Sequence, residues 1–109
     1  MRVLAHHIYE YEKGLRSLVL HTLPRSMELE AVERLRRRNI CFHIERVSDR
    51  RINIFLGDAT CVAVVKEMCG KPLETLTPEE DFMLGIMLGY SRLGQCQRYL
   101  QRKSMLKAG

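Results

Sequence analysis

An imidazole, a thiol and a carboxylate stand at every second position of one alternating segment, residues 40–47: Cys41, His43 and Glu45. Successive side chains of a strand point to opposite faces, so these three share one face of a sheet. We add His21, from an earlier predicted strand, to that face. Imidazole, thiolate and carboxylate groups together can ligate a transition metal or form an acid–base pair. The sequence therefore offers His21, Cys41, His43 and Glu45 as a candidate metal site.

A plainer interpretation of this face, which we favour, is a half-exposed polar sheet surface that packs on a partner. Sequence spacing fixes no distances between strands, so it cannot establish a ligand geometry. The opposite parity is apolar and predicts the core side of the sheet: Ile40, Phe42, Ile44, Ile52, Ile54 and Leu56. The chain has no Cys-x-x-Cys pair and no nucleophile-elbow, zincin or P-loop pattern. We therefore expect no cofactor and lean toward a protein that is not an enzyme.

The elements that must position these side chains follow the order β-α-β-β-α. Residues 17–23 predict a strand, Ser26 caps a helix that stops at Asn39, residues 40–47 and 52–56 predict a hairpin, and Asp58 caps a helix to about residue 69. This order predicts an α+β protein with a three-stranded antiparallel sheet, a partial split β-α-β (ferredoxin-like) arrangement with helices on one face. At 109 residues we expect a single domain, residues 1–109.

Additional helices are predicted at both ends of the chain. Residues 4–15 show a helical apolar stripe, although a strand fits their alternation almost as well. Residues 77–80, Thr-Pro-Glu-Glu, form a capping box that begins a second helix. We expect that helix to continue past Gly89 and Gly94 to about Ser104. In the helix between Ser26 and Asn39, the buried stripe is predicted to comprise Leu29, Val32 and Leu35.

The segment of residues 82–88 is apolar on every face, which a surface helix does not need. A small monomer has little protein left to cover such a helix, and glycines four residues apart allow close approach of a second helix. We therefore predict a homodimer; the alternative is that this helix is the central core element. The predicted interface comprises Phe82, Met83, Gly85, Ile86, Met87, Gly89 and Tyr90.

The formal net charge of +5 is concentrated in a few basic segments. The C-terminal segment is basic, and residues 36–38 with Arg50 and Arg51 suggest a second patch. Such surfaces attract acidic proteins or nucleic acid, although a solvated basic face is an equally good interpretation. Nucleic acid is the weaker alternative because the sheet lacks the stacking aromatic residues of RNA-binding folds. The candidate partner-binding residues are Arg36, Arg37, Arg38, Arg50, Arg51, Arg92, Arg98, Arg102 and Lys103.

Targeting signals and disulfides are not expected. No apolar run approaches the roughly 20 residues of a membrane span, and the N-terminus lacks the apolar core of a secretory signal. Four widely spaced cysteines in such a chain are best interpreted as free thiols. We expect a cytoplasmic protein that does not contact membranes.

Three segments resemble a small family of conserved bacterial proteins of unknown function: AHHIYEY at 5–11, LVLHTL at 18–23 and RINIFLGD at 51–58. The resemblance covers nearly the whole chain and implies three strands, about five helices and a homodimer. It carries no activity and no site residue. Genes of this family often neighbour that of a flavodoxin, a small acidic electron carrier, which suggests a flavodoxin-like redox protein as partner.

Overall fold

The computed structural model describes residues 1–108, in which three strands and five α-helices alternate with short turns. The strands are β1 (Leu18–Pro24), β2 (Cys41–Arg46) and β3 (Arg51–Gly57). The helices are α1 (Arg2–Glu12), α2 (Glu28–Arg37), α3 (Ala59–Met68), α4 (Pro78–Met87) and α5 (Arg92–Ala108). Two short 3₁₀ turns lie at Arg25–Met27 and Leu73–Thr75. No helix in this part of the chain is both long and apolar enough to cross a lipid bilayer.

The three strands form one antiparallel sheet in the order β1-β3-β2. β2 and β3 are a hairpin, whereas β1 pairs with the far side of β3. The two outer strands therefore run parallel to each other, with β3 inserted between them and α2 as their connection. This arrangement is the split β-α-β unit, and it confirms the predicted α+β fold and element order.

Helices cover both faces of the sheet, so the prediction of helices on one face was wrong. On the first face, α1 and α2 pack their apolar side chains around Ile54. On the second face, α3 and α4 pack around Phe55. The cause lies in β3, where consecutive residues are apolar and Ile54 and Phe55 are both fully buried. A central strand with two apolar faces needs a layer of helices on each.

Most of the predicted helix ends are confirmed at the level of single hydrogen bonds. Asp58 Oδ1 accepts from the Thr60 backbone N–H at 2.9 Å at the start of α3. Thr77 and Glu80 form the capping box of α4 through reciprocal bonds of 2.8 and 3.1 Å. Asn39, with φ of 57°, stops α2. Each of these helix ends depends only on residues that are close in sequence, so it can be predicted from the sequence.

The start of α2 differs from the prediction. Ser26 lies inside the 3₁₀ turn and caps nothing, because the helix begins two residues later, after Met27. The buried positions of α2 are Ala31 and Leu35, four residues apart. Leu29, expected in the core, is 80% exposed.

The last helix also differs from the prediction, because it does not continue from α4. Gly89 has φ of 81° and ends α4, and Ser91 Oγ accepts from the Gly94 backbone N–H at 3.2 Å to begin α5. α5 then folds back along α4. At the N-terminus, α1 confirms the helical interpretation over the strand, and Gly14, with φ of 77°, follows its end.

Candidate functional site

A polar row crosses the second face of the sheet near the hairpin end. Register places Asn53 on β3 directly between Thr22 on β1 and Glu45 on β2. Thr22 Oγ1 donates to Asn53 Oδ1 at 2.6 Å, and Asn53 is only 8% exposed. The next row on this face is Leu20, Phe55 and His43, so the change from apolar to polar is abrupt. We call Thr22, Asn53 and Glu45 the polar row.

A cavity of about 470 Å³ opens over the polar row, and we call it the polar groove. Its floor is the polar row, and its wall is the segment of residues 70–74, which contains Lys71. Arg51 shares the face of Asn53 because the two are separated by two positions of β3, and it lines the same cavity. The groove therefore combines a buried amide with charged side chains of both signs: Arg46, Arg51, Lys71, Glu45 and Glu74.

His43 and Glu45, predicted to share a face, are brought into direct contact. His43 Nε2 lies 2.6 Å from Glu45 Oε1, and both side chains are about three quarters buried. The His43 ring also stacks on Phe55 with centroids 6.4 Å apart. A carboxylate at this distance fixes the orientation of the imidazole ring beside the groove.

The other two members of the predicted site are elsewhere. His21 pairs with Ile54 and therefore lies on the first face, opposite to His43, so its placement with the metal candidates was wrong. β1 is apolar at both parities, and its sequence gives no sign of which face His21 takes. Cys41 is exposed at the far end of β2, opposite Gly57 and two rows from Glu45. Within residues 1–108, no three histidine, cysteine or carboxylate side chains are placed to hold one metal ion.

His21 instead meets His7, which the sequence analysis did not select. Their ring centroids are 4.9 Å apart at the contact of α1 with β1, and His7 Nδ1 is buried without a hydrogen-bond partner. Burial lowers the pKa of His7, an effect to which Arg16 adds. Burial also lowers the pKa of His21, helped by His7. In both cases the surroundings favour the neutral ring over the protonated one.

The predicted basic patches separate along the sheet. α2 starts beside the end of β1 and ends beside the start of β2, so Arg36, Arg37 and Arg38 lie at the end of the sheet opposite to the hairpin. Arg50 and Arg51 lie at the hairpin end, where the Arg25 backbone N–H donates to the Arg50 carbonyl. The expectation that residues 36–38 join Arg50 and Arg51 in one patch was therefore wrong.

Residues 36–38, all exposed, form what we call the basic end. Arg38 Nη1 pairs with Glu12 Oε1 of α1 at 2.8 Å. Arg36 and Arg37 have no ion-pair partner within residues 1–108. Arg16 lies at this same end of the sheet, just before β1, and donates to the Leu88 carbonyl at 3.4 Å.

Three of the five basic residues of α5 are paired within the chain. Arg98 Nε lies 2.7 Å from Asp81 Oδ2, and Arg102 Nη1 lies 3.2 Å from Asp81 Oδ1. Lys103 Nζ lies 3.1 Å from Glu79 Oε2. Hydrogen bonding from Arg98 lowers the pKa of Asp81 below its usual range. Asp81 and Glu79 therefore offset two of the five positive charges of α5. Arg92 and Lys107 are exposed and have no ion-pair partner within residues 1–108.

The predicted dimer interface divides into covered and exposed parts. A Cβ on Gly85 would overlap the Gln95 side chain, so the close approach at this glycine is made by α5 of the same chain. Gly89 ends the helix, and a Cβ added there would meet nothing within 4 Å. Exposure remains at Met83 (49%) and Ile86 (39%).

An apolar groove of about 530 Å³ lies between α4 and α5 beside these exposed residues. Its lining includes Phe82, Tyr99 and Leu100, and the Phe82 and Tyr99 rings pack edge to face with centroids 5.6 Å apart. Leu100 itself is 67% exposed. Met87 is half-buried against the second core, and Tyr90 is exposed beyond the end of α4. The apolar face of the helical pair is thus only partly covered.

The chain was compared with curated proteins and with models of protein families. No match was found among curated proteins. One family model, described as "Protein of unknown function (DUF2023)", matches residues 2–102, which include all three strands and the first four helices. The resemblance noted from the sequence is thereby confirmed, and the chain belongs to the DUF2023 family, whose function is unknown.

Proposed function

We propose that this protein is a non-catalytic, homodimeric interaction protein whose basic end docks an acidic macromolecule. The observation that carries the proposal is the pair Arg36 and Arg37, both exposed and without an ion-pair partner within residues 1–108. Most other arginines examined at the sequence level have a carboxylate of the chain beside them, or lie at the opposite end of the sheet. Guanidinium groups on a rigid helix end suit the bidentate recognition of carboxylates.

The basic end has the features of an electrostatic docking surface. Arg16, at the same end of the sheet, has no ion-pair partner within residues 1–108 and donates to the Leu88 carbonyl, whereas the charge of Arg38 is offset by Glu12. Unpaired positive charges at one end of the molecule steer an acidic partner and make its association sensitive to salt. A flavodoxin-like redox protein, the partner suggested by the resemblance, is the first to test.

The exposed apolar face of α4 and α5 supports the homodimeric part of the proposal. Met83, Ile86 and Leu100 adjoin the apolar groove, whose floor is already organised by the Phe82 and Tyr99 rings. The charged residues beside this face, Arg98 and Lys103, already form ion pairs with Asp81 and Glu79 of the same chain. A partner therefore need only cover apolar surface. A second copy of the same face satisfies this requirement, as in a twofold-symmetric dimer.

The test is affinity capture of the tagged protein from its native cells, with and without nuclease. We compare the wild type with Arg36→Ala/Arg37→Ala and with the charge-matched control Arg50→Ala/Arg51→Ala at the opposite end. We expect an acidic protein that is retained after nuclease, released at high salt, and bound roughly ten-fold more weakly by the first variant alone.

Two outcomes would count against docking at the basic end. Equal capture by the wild type and Arg36→Ala/Arg37→Ala would show that these arginines do not contact the partner. Capture that disappears with nuclease would assign the basic residues to nucleic acid instead. Because both arginines lie in the last turn of α2, where each adds about 0.3 to 1 kcal/mol of helix stability, the melting temperatures of all variants are compared first.

A further inference from the structure

The polar groove has the size and lining of a small-molecule site. Its volume of about 470 Å³ falls within the range of ordinary ligand pockets. It lies over the hairpin end of the sheet, at a distance from the basic end that is set by the length of β3. Nothing in the proposed docking function requires it.

The floor of the groove has a buried polar side chain on the central strand of the sheet. Asn53, the third residue of β3, is 8% exposed, while the next row of the same face has Phe55 on this strand. A buried amide that replaces an apolar side chain forfeits hydrophobic stabilisation and needs hydrogen bonds to offset its desolvation. Thr22 satisfies Asn53 Oδ1 alone. Asn53 Nδ2 has no hydrogen-bond partner within residues 1–108 and is not fully buried, so its donors are accessible from the cavity that the residue lines.

The polar groups around Asn53 are of mixed charge. Arg51 lines the groove and has no carboxylate within ion-pair distance in residues 1–108. Glu45, directly across from Asn53, uses Oε1 to contact His43, which leaves Oε2 as an acceptor. Glu45 is a cross-strand neighbour of Asn53, at about 5 Å, and Arg51 lies two residues away on the same strand, at about 7 Å. A cationic donor and an anionic acceptor therefore flank the amide at small-molecule spacing.

From this arrangement we propose that the polar groove binds a small zwitterion of the amino-acid class. The ligand carboxylate accepts from the Arg51 guanidinium and Asn53 Nδ2, and its ammonium group donates to Glu45. A phosphate or a simple dicarboxylate suits the site less well, because it has no ammonium group to donate to the Glu45 and Glu74 carboxylates that line the groove. Leu73, Pro72 and Val47 leave an apolar wall for the ligand side chain.

The test uses the twenty common amino acids as probes, each added at about 10 mM to the isotope-labelled full chain in an NMR titration. Acetate and methylammonium, which each carry one of the two charged groups, are the matched ligand controls. We expect at least one amino acid to shift the amide signals of Thr22, Asn53 and Glu45, with much smaller shifts from either control. If no amino acid shifts them, or if inorganic phosphate binds as well as the best amino acid, the proposal is overturned.

Variants separate binding from folding. Arg51→Gln and Glu45→Gln are expected to weaken binding at least ten-fold, whereas Arg25→Gln, at the same end of the sheet but outside the groove, is expected to leave it unchanged. Thr22→Val/Asn53→Leu removes both partners of the part-buried Thr22–Asn53 hydrogen bond together, so it should abolish binding while the melting temperature stays the same or rises. Undiminished binding by Arg51→Gln would refute the proposed carboxylate contact. A large fall in melting temperature for the double variant would show that the polar row serves the fold.

Discussion

His7 and His21 show how a single contact can connect the stability of this protein to pH. Their rings meet 4.9 Å apart where α1 packs on β1, and the nearby charges are mostly of one sign. Arg16, His6 and the N-terminal amino group lower the histidine pKa values, and Glu10 alone raises that of His7. Glu10 is shared with His6, whose Nε2 lies 3.3 Å from it.

We expect the free energy of unfolding to fall as the pH drops from about 8 to about 5.5. The pKa of each histidine is lower in the folded state than the usual value of about 6.5, so the unfolded chain binds more protons in this window. The stability contribution is therefore complete above the usual value and is lost as the pH falls below it.

Urea denaturation at several pH values measures this dependence. In His7→Asn/His21→Asn the loss between neutral and mildly acidic pH should shrink markedly, whereas in His6→Asn, which removes an exposed histidine of the same helix, it should persist. An unchanged pH dependence in the double variant would contradict the assignment to this pair.

At the scale of elements, the predictable features are those encoded by adjacent residues. The capping box at Thr77, the Asp58 cap and the stop at Asn39 each depend on two or three neighbours, and each is confirmed. Features that depend on packing were missed. His21 could not be placed on a face because β1 is apolar on both, and the end of α4 at Gly89 was not expected because the amino-acid pattern continues through it.

Gly57, the last residue of β3, is a position where substitution should strongly lower the free energy of unfolding. Its φ is 147°, and a Cβ there would overlap the Ser17 backbone carbonyl, which also accepts from the Asp58 N–H at 2.8 Å. We expect Gly57→Ala to lower the free energy of unfolding by about 2 kcal/mol or more, because backbone atoms must move.

Chemical denaturation of Gly57→Ala beside Gly70→Ala tests this expectation. Gly70 is exposed, and a Cβ there meets nothing within 4 Å, so the control should change stability by less than about 0.5 kcal/mol. Similar stabilities for the two variants would mean that the turn at Gly57 adapts to a side chain.

At the scale of the whole molecule, the sequence predicted the order of strands and helices but not the number of helical layers that cover the sheet. The order of elements and the split β-α-β unit were predicted correctly, because alternation and connection length constrain them. The second helical layer was not predicted. The sequence shows that Ile54 and Phe55 are both apolar, but it does not show that each of the two sheet faces is covered by helices. For the candidate site, parity correctly joined His43 to Glu45 but did not reveal Thr22 or the groove above it.

The proposed dimer is tested at this scale by the oligomeric state. We expect the wild type to sediment as a dimer, and Met83→Glu/Leu100→Glu to sediment as a monomer, because two buried carboxylates on a twofold interface repel each other and lose hydration. Leu29→Glu/Val47→Glu, which charges two residues exposed away from α4 and α5, serves as the control and should remain dimeric. A monomeric wild type at micromolar concentration would refute the dimer.

The central position of β3 has a consequence for the order in which the chain acquires its structure during synthesis. β1 and β2 are both complete before β3 emerges, yet neither contacts the other, because each pairs only with β3. A nascent chain released before residue 57 therefore has two strands with no template between them. We infer that β1 and β2 become ordered as a sheet only when β3 is inserted between them.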